Sequence, residues 1–266
     1  MTLRRKVPAI TGIFWIVKIL TTALGESVSD YLVYSINPYV AVGLGALGFS
    51  VALAWQFRVR EYNAWVYWFA VTMVAVFGTM AADVTHVVLG VPYLFSSAFF
   101  ALSLAVIFAF WRKVEKTVSI HSINTPRREV FYWLTVVTTF ALGTATGDMT
   151  AITLHLGYLA SGILFSALML CIGLARYAVV TIPSLERYRL SRNAVLAFWI
   201  AYVLTRPLGA SFSDWTGKPQ SFGGLDWGDG RVAGVLLVLL VGFVAYLAIT
   251  RLDVDTGSEQ PSPHSV

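Results

Sequence analysis

The sequence has 266 residues, of which 57% are hydrophobic and 12% are charged, and its mean hydropathy is +0.71. This composition is too apolar for a soluble protein of this length. A single cysteine, Cys171, excludes a disulfide framework and a thiolate metal cluster.

Eight apolar segments are long enough to cross a bilayer. A helix needs about 20 apolar residues for this, and strands with unpaired backbone groups are excluded in lipid. In chain order the predicted spans are residues 9–33, 37–57, 64–86, 90–111, 130–152, 155–178, 194–215 and 231–250. The sequence therefore predicts an all-α polytopic protein with one membrane domain, residues 1–252, and a disordered cytoplasmic tail, residues 253–266.

The basic residues mark one side of the membrane. Fifteen of the 19 lysines and arginines precede odd-numbered spans or follow even-numbered ones. Cytoplasmic connections carry such an excess, so we expect both termini in the cytoplasm. The net charge of +5 thus reports topology and does not indicate a nucleic-acid partner.

One pattern occurs four times: a tryptophan, a glycine ten residues later, and an aspartate five residues after the glycine. The four sets are Trp15, Gly25 and Asp30; Trp68, Gly78 and Asp83; Trp133, Gly143 and Asp148; and Trp199, Gly209 and Asp214. Every set lies on an odd-numbered span, so the repeating unit is a helix pair and all copies start on the same side. We expect the tryptophans to anchor in an interfacial aromatic belt, the glycines to be packing contacts, and the aspartates to lie level near the outer face.

The sequence therefore predicts four parallel helix-pair repeats, related by an axis along the membrane normal. Their approximate bounds are residues 8–57, 64–111, 130–178 and 194–250.

The odd-numbered spans also carry the candidate site, because ionisable groups at membrane depth are costly and commonly functional. The predicted ion-binding residues are Glu26, Asp30, Asp83, Asp148, Asp214, Thr79 and Thr144. Lys18 and Arg206 are predicted to pair with these acids, since so many carboxylates do not stay ionised together. Pro207, inside the seventh span, is expected to kink that helix.

Carboxylate, hydroxyl and carbonyl oxygens suit hard cations such as Mg²⁺, Mn²⁺ or Ca²⁺, and buried carboxylates also carry protons. We therefore predict a transporter or channel for small ions, either divalent cations or protons coupled to another solute. Three alternatives stay open: a sensor, scaffold or assembly partner that transports nothing; an intramembrane enzyme or lipid-handling protein; or aspartates that only cap and pack helix ends.

No motif of soluble enzymes is present, and we predict neither an enzymatic activity nor a cofactor. The expected partners are the lipid bilayer and a small inorganic cation or proton, with no nucleic acid. The oligomeric state and the identity of any metal stay open. His86 and His155 share no register in the repeats and are interpreted as solvated interfacial residues.

Four segments carry a resemblance to a known family: KVPAITGIFWIVKILTTALGESVSD, YWFAVTMVAVFGTMAAD, TTFALGTATGD and YVLTRPLGASFSDW. In these the chain resembles a bacterial family of multi-pass proteins built from a repeat of unknown function, usually labelled uncharacterised membrane-anchored proteins. The resemblance runs from about Lys6 to Thr250. It implies tandem helix pairs in the bacterial inner membrane, and it implies no activity, cofactor or substrate.

Overall fold

A computed structural model describes residues 5–181 and 192–254. Within these ranges the chain forms eight long helices and no strand. The helices are α1 Gly12–Ser35, α2 Pro38–Arg58, α3 Ala64–Asp83, α4 Tyr93–Glu115, α5 Pro126–Asp148, α6 Gly157–Thr181, α7 Arg192–Gly217 and α8 Asp229–Thr250. All eight are long and apolar enough to cross a membrane, which confirms the predicted all-α polytopic fold.

Local sequence signals set several helix starts. Thr11, Asn63 and Thr125 each accept, through the side chain, a hydrogen bond from the backbone N–H three residues later. These caps satisfy donors that the first helical turn leaves free. Pro38 and Pro126 occupy the first turns of α2 and α5, where a missing N–H costs nothing.

The odd-numbered helices α1, α3, α5 and α7 pack side by side in chain order, and α7 contacts α1 to close a four-helix ring. Each even-numbered helix lies outside the ring, mainly against the next odd helix: α2 on α3, α4 on α5, α6 on α7 and α8 on α1. The even helices expose large apolar side chains, including Leu47, Phe99, Leu170 and Val238. The four parallel helix pairs are therefore arranged with pseudo-fourfold symmetry, and the outer helices face lipid.

The repeat glycines form the interfaces of the four-helix ring, as predicted. A Cβ added to each would touch a residue on the next helix, so any larger side chain would hold the two helices apart. The four pairs are Gly25 with Ala75, Gly78 with Phe140, Gly143 with Arg206, and Gly209 with Thr22. In every pair the glycine lies five residues before its own aspartate and the partner lies eight residues before its own aspartate.

All four interfaces therefore share one register. Consequently the four aspartates lie level at one end of the ring, here called the acid end. The four tryptophans of the repeat lie at the opposite end, here called the tryptophan end.

At the tryptophan end, aromatic side chains fill the space between the helices. Trp68, Trp133 and Trp199 are only 1%, 2% and 4% exposed. The hydroxyls of Tyr67 and Tyr132 are hydrogen-bonded at 2.5 Å between α3 and α5. The predicted belt anchoring is therefore wrong for these three tryptophans, because their repeat position faces neighbouring helices and not the lipid interface.

Short segments close the tryptophan end further. Lys6 Nζ donates to Glu129 Oε2 of α5 at 2.5 Å. After α8, the Asp253 carboxylate accepts a hydrogen bond from the Tyr62 hydroxyl, and the Asp253 carbonyl accepts one from Ala9 N at 2.7 Å. The predicted tail starts at Asp253, which is buried, and its residues 255–266 lie outside the described residues.

The close α1–α3 contact generates a stability prediction. Gly25→Ala places a methyl group against the Ala75 Cβ and backbone. Such overpacking costs about 1–3 kcal/mol, so the melting temperature in detergent should fall. Gly242→Ala is the matched control, because nothing lies within 4 Å of a Cβ at Gly242 in α8. Equal melting temperatures for the two variants would contradict the glycine-built ring.

Candidate functional site

One guanidinium, that of Arg206 on α7, joins all four helices of the ring. It is 1% exposed. Its Nη2 donates to Glu26 Oε2 on α1 at 2.5 Å, to Thr144 Oγ1 on α5 at 2.9 Å, and to Thr79 Oγ1 on α3. Its Nη1 donates to the Thr22 carbonyl of α1 at 3.4 Å. The predicted role of Arg206 as a charge partner thus has a definite geometry.

The three side chains that accept hydrogen bonds from Arg206 Nη2 occupy the same repeat position, four residues before the aspartate of their own repeat. The hydroxyls of Thr79 and Thr144 donate to the backbone carbonyls of Ala75 and Phe140 in their own helices, at 2.9 and 3.0 Å. Because each hydroxyl hydrogen is used in this way, the two threonine oxygens act as acceptors of hydrogen bonds from Arg206. These two threonines, predicted as ion ligands, therefore hold the arginine in this structure.

Above Arg206 three carboxylates converge, and we call Glu26, Asp30 and Asp214 the acid cluster. One oxygen from each lies within 4.8 Å of the others. Glu26 and Asp30 lie one turn apart on α1, and Asp214 comes from α7. Asp214 is 5% exposed, and among the described residues no base lies within ion-pair distance of its carboxylate. A carboxylate this close to two others, with no base in contact, is unfavourable in its ionised form unless a cation or a proton neutralises it.

Lys218, directly after α7, supplies a second base at this end. Its Nζ contacts the Asp30 carboxylate and lies 3.7 Å from Asp229 Oδ2 at the start of α8. Burial lowers the pKa of Lys218, but the carboxylates of Asp30, Asp214 and Asp229 raise it, and the net pKa lies above its ordinary value. Lys218 therefore carries a positive charge beside the acid cluster.

The other two predicted acids, Asp83 and Asp148, are half-buried at the ends of α3 and α5. They interact electrostatically with each other and with Glu26. Neither forms an ion pair within residues 5–181 and 192–254. Each is followed at once by a π-helical turn, Val84–Val88 and Met149–Thr153. Such turns occur frequently at functional sites.

The surroundings of the Lys18 ammonium group differ from the prediction. It is fully buried, and its Nζ lies 4.0 and 4.4 Å from the ring centroids of Phe140 and Tyr202. In the described part of the chain this Nζ has no hydrogen-bond partner and no acid within ion-pair distance. The predicted pairing of Lys18 with an acid is therefore not observed, and two aromatic faces surround its ammonium group instead.

Pro207 lies inside α7, as predicted, and packs against α5. A Cβ on Gly143 would lie 3.1 Å from the proline Cδ, and one on Gly147 would lie 3.4 Å from its Cβ. The small residues of α5 thus make room for both Arg206 and Pro207.

Lys218 is the site residue that sequence reasoning missed, because it falls in an outer connection. The available signal was its position four residues after Asp214, next to the charged end of the fourth repeat. The predicted acids, by contrast, are all at the acid end, and three of them are within reach of a single ion.

These features define a class: helical membrane proteins of four parallel repeats, with charged groups gathered at one end of a closed helix ring. The chain belongs to a family that shares this repeat. It matches the Repeat of Unknown Function (DUF347) four times, over residues 13–62, 66–117, 131–180 and 197–253. The expected membership in a family built from a tandem repeat of unknown function is thereby confirmed. No curated protein and no solved structure matches the chain.

The Arg206–Glu26 pair should behave as a coupled unit. Arg206→Met leaves Glu26 buried without its partner, and such a change costs about 3–5 kcal/mol. In the double variant Arg206→Met/Glu26→Gln neither charge remains. Its loss of stability should therefore be smaller than the summed losses of the single variants Arg206→Met and Glu26→Gln. Thermal unfolding in detergent measures this coupling. Additive losses would show that the two side chains do not stabilise each other.

Proposed function

We propose that this protein transports a divalent cation, which binds at the acid cluster. The observation that carries the proposal is the convergence of the Glu26, Asp30 and Asp214 carboxylates, with no base within ion-pair distance of Asp214 among the described residues. Hard cations such as Mg²⁺, Mn²⁺ and Ca²⁺ prefer oxygen ligands of this kind.

The charge balance supports a cation. The five predicted acids carry five negative charges when ionised, against one positive charge each from Arg206 and Lys218, which leaves a formal −3. Repulsion among so many carboxylates disfavours full ionisation, so protons occupy some of them when no cation is bound. Release of these protons on cation binding would couple cation movement to a proton gradient.

The two ends of the ring differ in a way that suits alternating access. Asp30, Asp83 and Asp148 at the acid end are partly exposed, whereas Tyr67, Tyr132 and the Lys6–Glu129 pair fill the tryptophan end. Among the described residues, the charged groups at the acid end are thus more accessible than the aromatic side chains that fill the tryptophan end. Movement of a cation requires the tryptophan end to open, and Pro207 in α7 supplies a point of bending between the two ends.

A second candidate, a cation sensor, is favoured by the packing below Arg206. Lys18, Phe140 and Tyr202 are fully buried there and occupy the path that an ion would follow. A sensor would bind the cation at the acid cluster and never open this path. Binding with no flux would therefore select this candidate.

The lipid-handling alternative depends on a different feature, an apolar cavity beside the ring. A cavity of about 810 Å³ lies between α1, α6 and α7, lined mostly by apolar residues with Arg176 and His121. None of the five predicted acids lines this cavity, so it offers the acid cluster no lateral access for a lipid.

We further propose a bacterial inner-membrane location, with both termini in the cytoplasm and the acid end facing outward. The positive-inside distribution supports this orientation. In a Cys171→Ser background, Gln220→Cys should react with a membrane-impermeant maleimide on intact cells, because Gln220 is exposed near the acid end. His121→Cys, exposed at the tryptophan end, should react only after lysis. The opposite labelling pattern would reverse the orientation.

The acid cluster is tested with Asp214→Asn, which keeps the shape of the side chain and removes its charge. Purified protein in proteoliposomes should lose Mn²⁺ uptake by at least about tenfold, since a charged ligand is removed from a site that depends on ligand charge. Asp226→Asn is the matched control: it makes the same change in an exposed residue of the α7–α8 connection.

Wild-type uptake in Asp214→Asn would overturn the site. Mn²⁺ binding without uptake in the wild-type protein would replace the transporter with the sensor.

A further inference from the structure

The ammonium group of Lys218 already lies where a bound cation would approach the acid cluster. It contacts the carboxylate of Asp30, and it also interacts electrostatically with Asp214. Its side chain is 15% exposed, so it reaches the acid cluster from the surface of the acid end. A lysine ammonium is a compact point charge, comparable to a small hydrated cation.

The backbone of Lys218 is held by a folded connection between α7 and α8. Asp226 N donates to the Lys218 carbonyl at 2.9 Å, and Lys218 N donates to the Asp214 carbonyl at 2.8 Å. Gly224 lies so close to the Lys218 carbonyl that a Cβ there would collide with it. Only the flexible four-carbon side chain of Lys218 is therefore free to leave the acid cluster.

A second carboxylate is available to receive the displaced ammonium. Asp229 Oδ2 lies 3.7 Å from Lys218 Nζ, on the first turn of α8, and it is outside the acid cluster. The Tyr34 ring centroid lies 5.2 Å from the same Nζ. A small rotation of the lysine side chain toward Asp229 would free Asp30 while the ammonium stays paired.

We propose that Lys218 is a tethered cation that fills the acid cluster in the absence of metal, and that a substrate cation binds by displacing it toward Asp229. This inference rests on the proposed function of the acid cluster. It assigns Lys218 a role in specificity, because the ion must compete with a charge that the protein itself supplies. A dication gains enough from direct coordination by Asp30 and Asp214 to displace an ammonium, whereas Na⁺ and K⁺ do not.

The test is isothermal titration of the purified full-length protein with Mn²⁺ and, separately, with Na⁺. When a site is available only part of the time, its apparent affinity falls by that fraction, so removal of the competitor restores it. Lys218→Gln should bind Mn²⁺ about tenfold more tightly than the wild type. It should also show Na⁺ binding that the wild type lacks.

Two further variants distinguish displacement of the Lys218 ammonium from a general loss of positive charge at the acid end. Arg231→Gln removes one positive charge from an exposed residue at the acid end, and its Mn²⁺ affinity should stay within about twofold of wild type because such charges are screened. Lys218→Arg keeps the competing charge and should retain wild-type exclusion of Na⁺.

The outcomes distinguish the two proposals. Wild-type Mn²⁺ binding with unchanged or weaker binding by Lys218→Gln overturns the tethered cation and leaves the acid cluster standing. Equal tightening by Arg231→Gln and Lys218→Gln also overturns it, since the effect would then be bulk charge. Absence of Mn²⁺ binding in both the wild type and Lys218→Gln overturns the proposed function together with this inference.

Discussion

The buried ion pair between Arg206 and Glu26 is the interaction on which the rest of the ring depends. An arginine inside a membrane domain is tolerated only when partners satisfy its donors, and here the partners come from α1, α3 and α5. The pair also forms the floor of the acid cluster. Gly143 makes the arrangement possible, because a side chain there would occupy the space of the arginine stem.

Symmetry and departures from it have separate roles in this protein. The glycine contacts repeat at all four interfaces and set a common register, so the repeats explain the ring. The aspartates are common to all copies, but the buried ion pair lies where copies differ. Glu26 replaces a threonine of the second and third copies, and Arg206 occupies a position that holds Thr22, Ala75 or Phe140 elsewhere. The π-helical turns after Asp83 and Asp148 distinguish the middle copies from the outer ones.

Sequence reasoning captured the eight spans, the parallel repeats and the common level of the aspartates, because hydropathy and spacing determine these directly. It did not predict that three of the repeat tryptophans are buried, since an amphipathic aromatic side chain at a helix end suits either a membrane interface or a protein core. The surroundings of Lys18 depend on Phe140 and Tyr202, which come from other repeats and meet it only through the ring register. Lys218 lies one turn after Asp214, and it reaches Asp30 only because α7 packs against α1, a tertiary contact that no local pattern specifies.

The most direct test of the central claim is anomalous X-ray scattering from crystals of the protein grown with Mn²⁺. A cation site at the acid cluster predicts an anomalous peak within about 2.6 Å of carboxylate oxygens from Asp30 and Asp214. It also predicts that Lys218 Nζ has moved away from Asp30. A crystal with Lys218 still on Asp30 and no peak at the acid cluster at millimolar Mn²⁺ would contradict the claim.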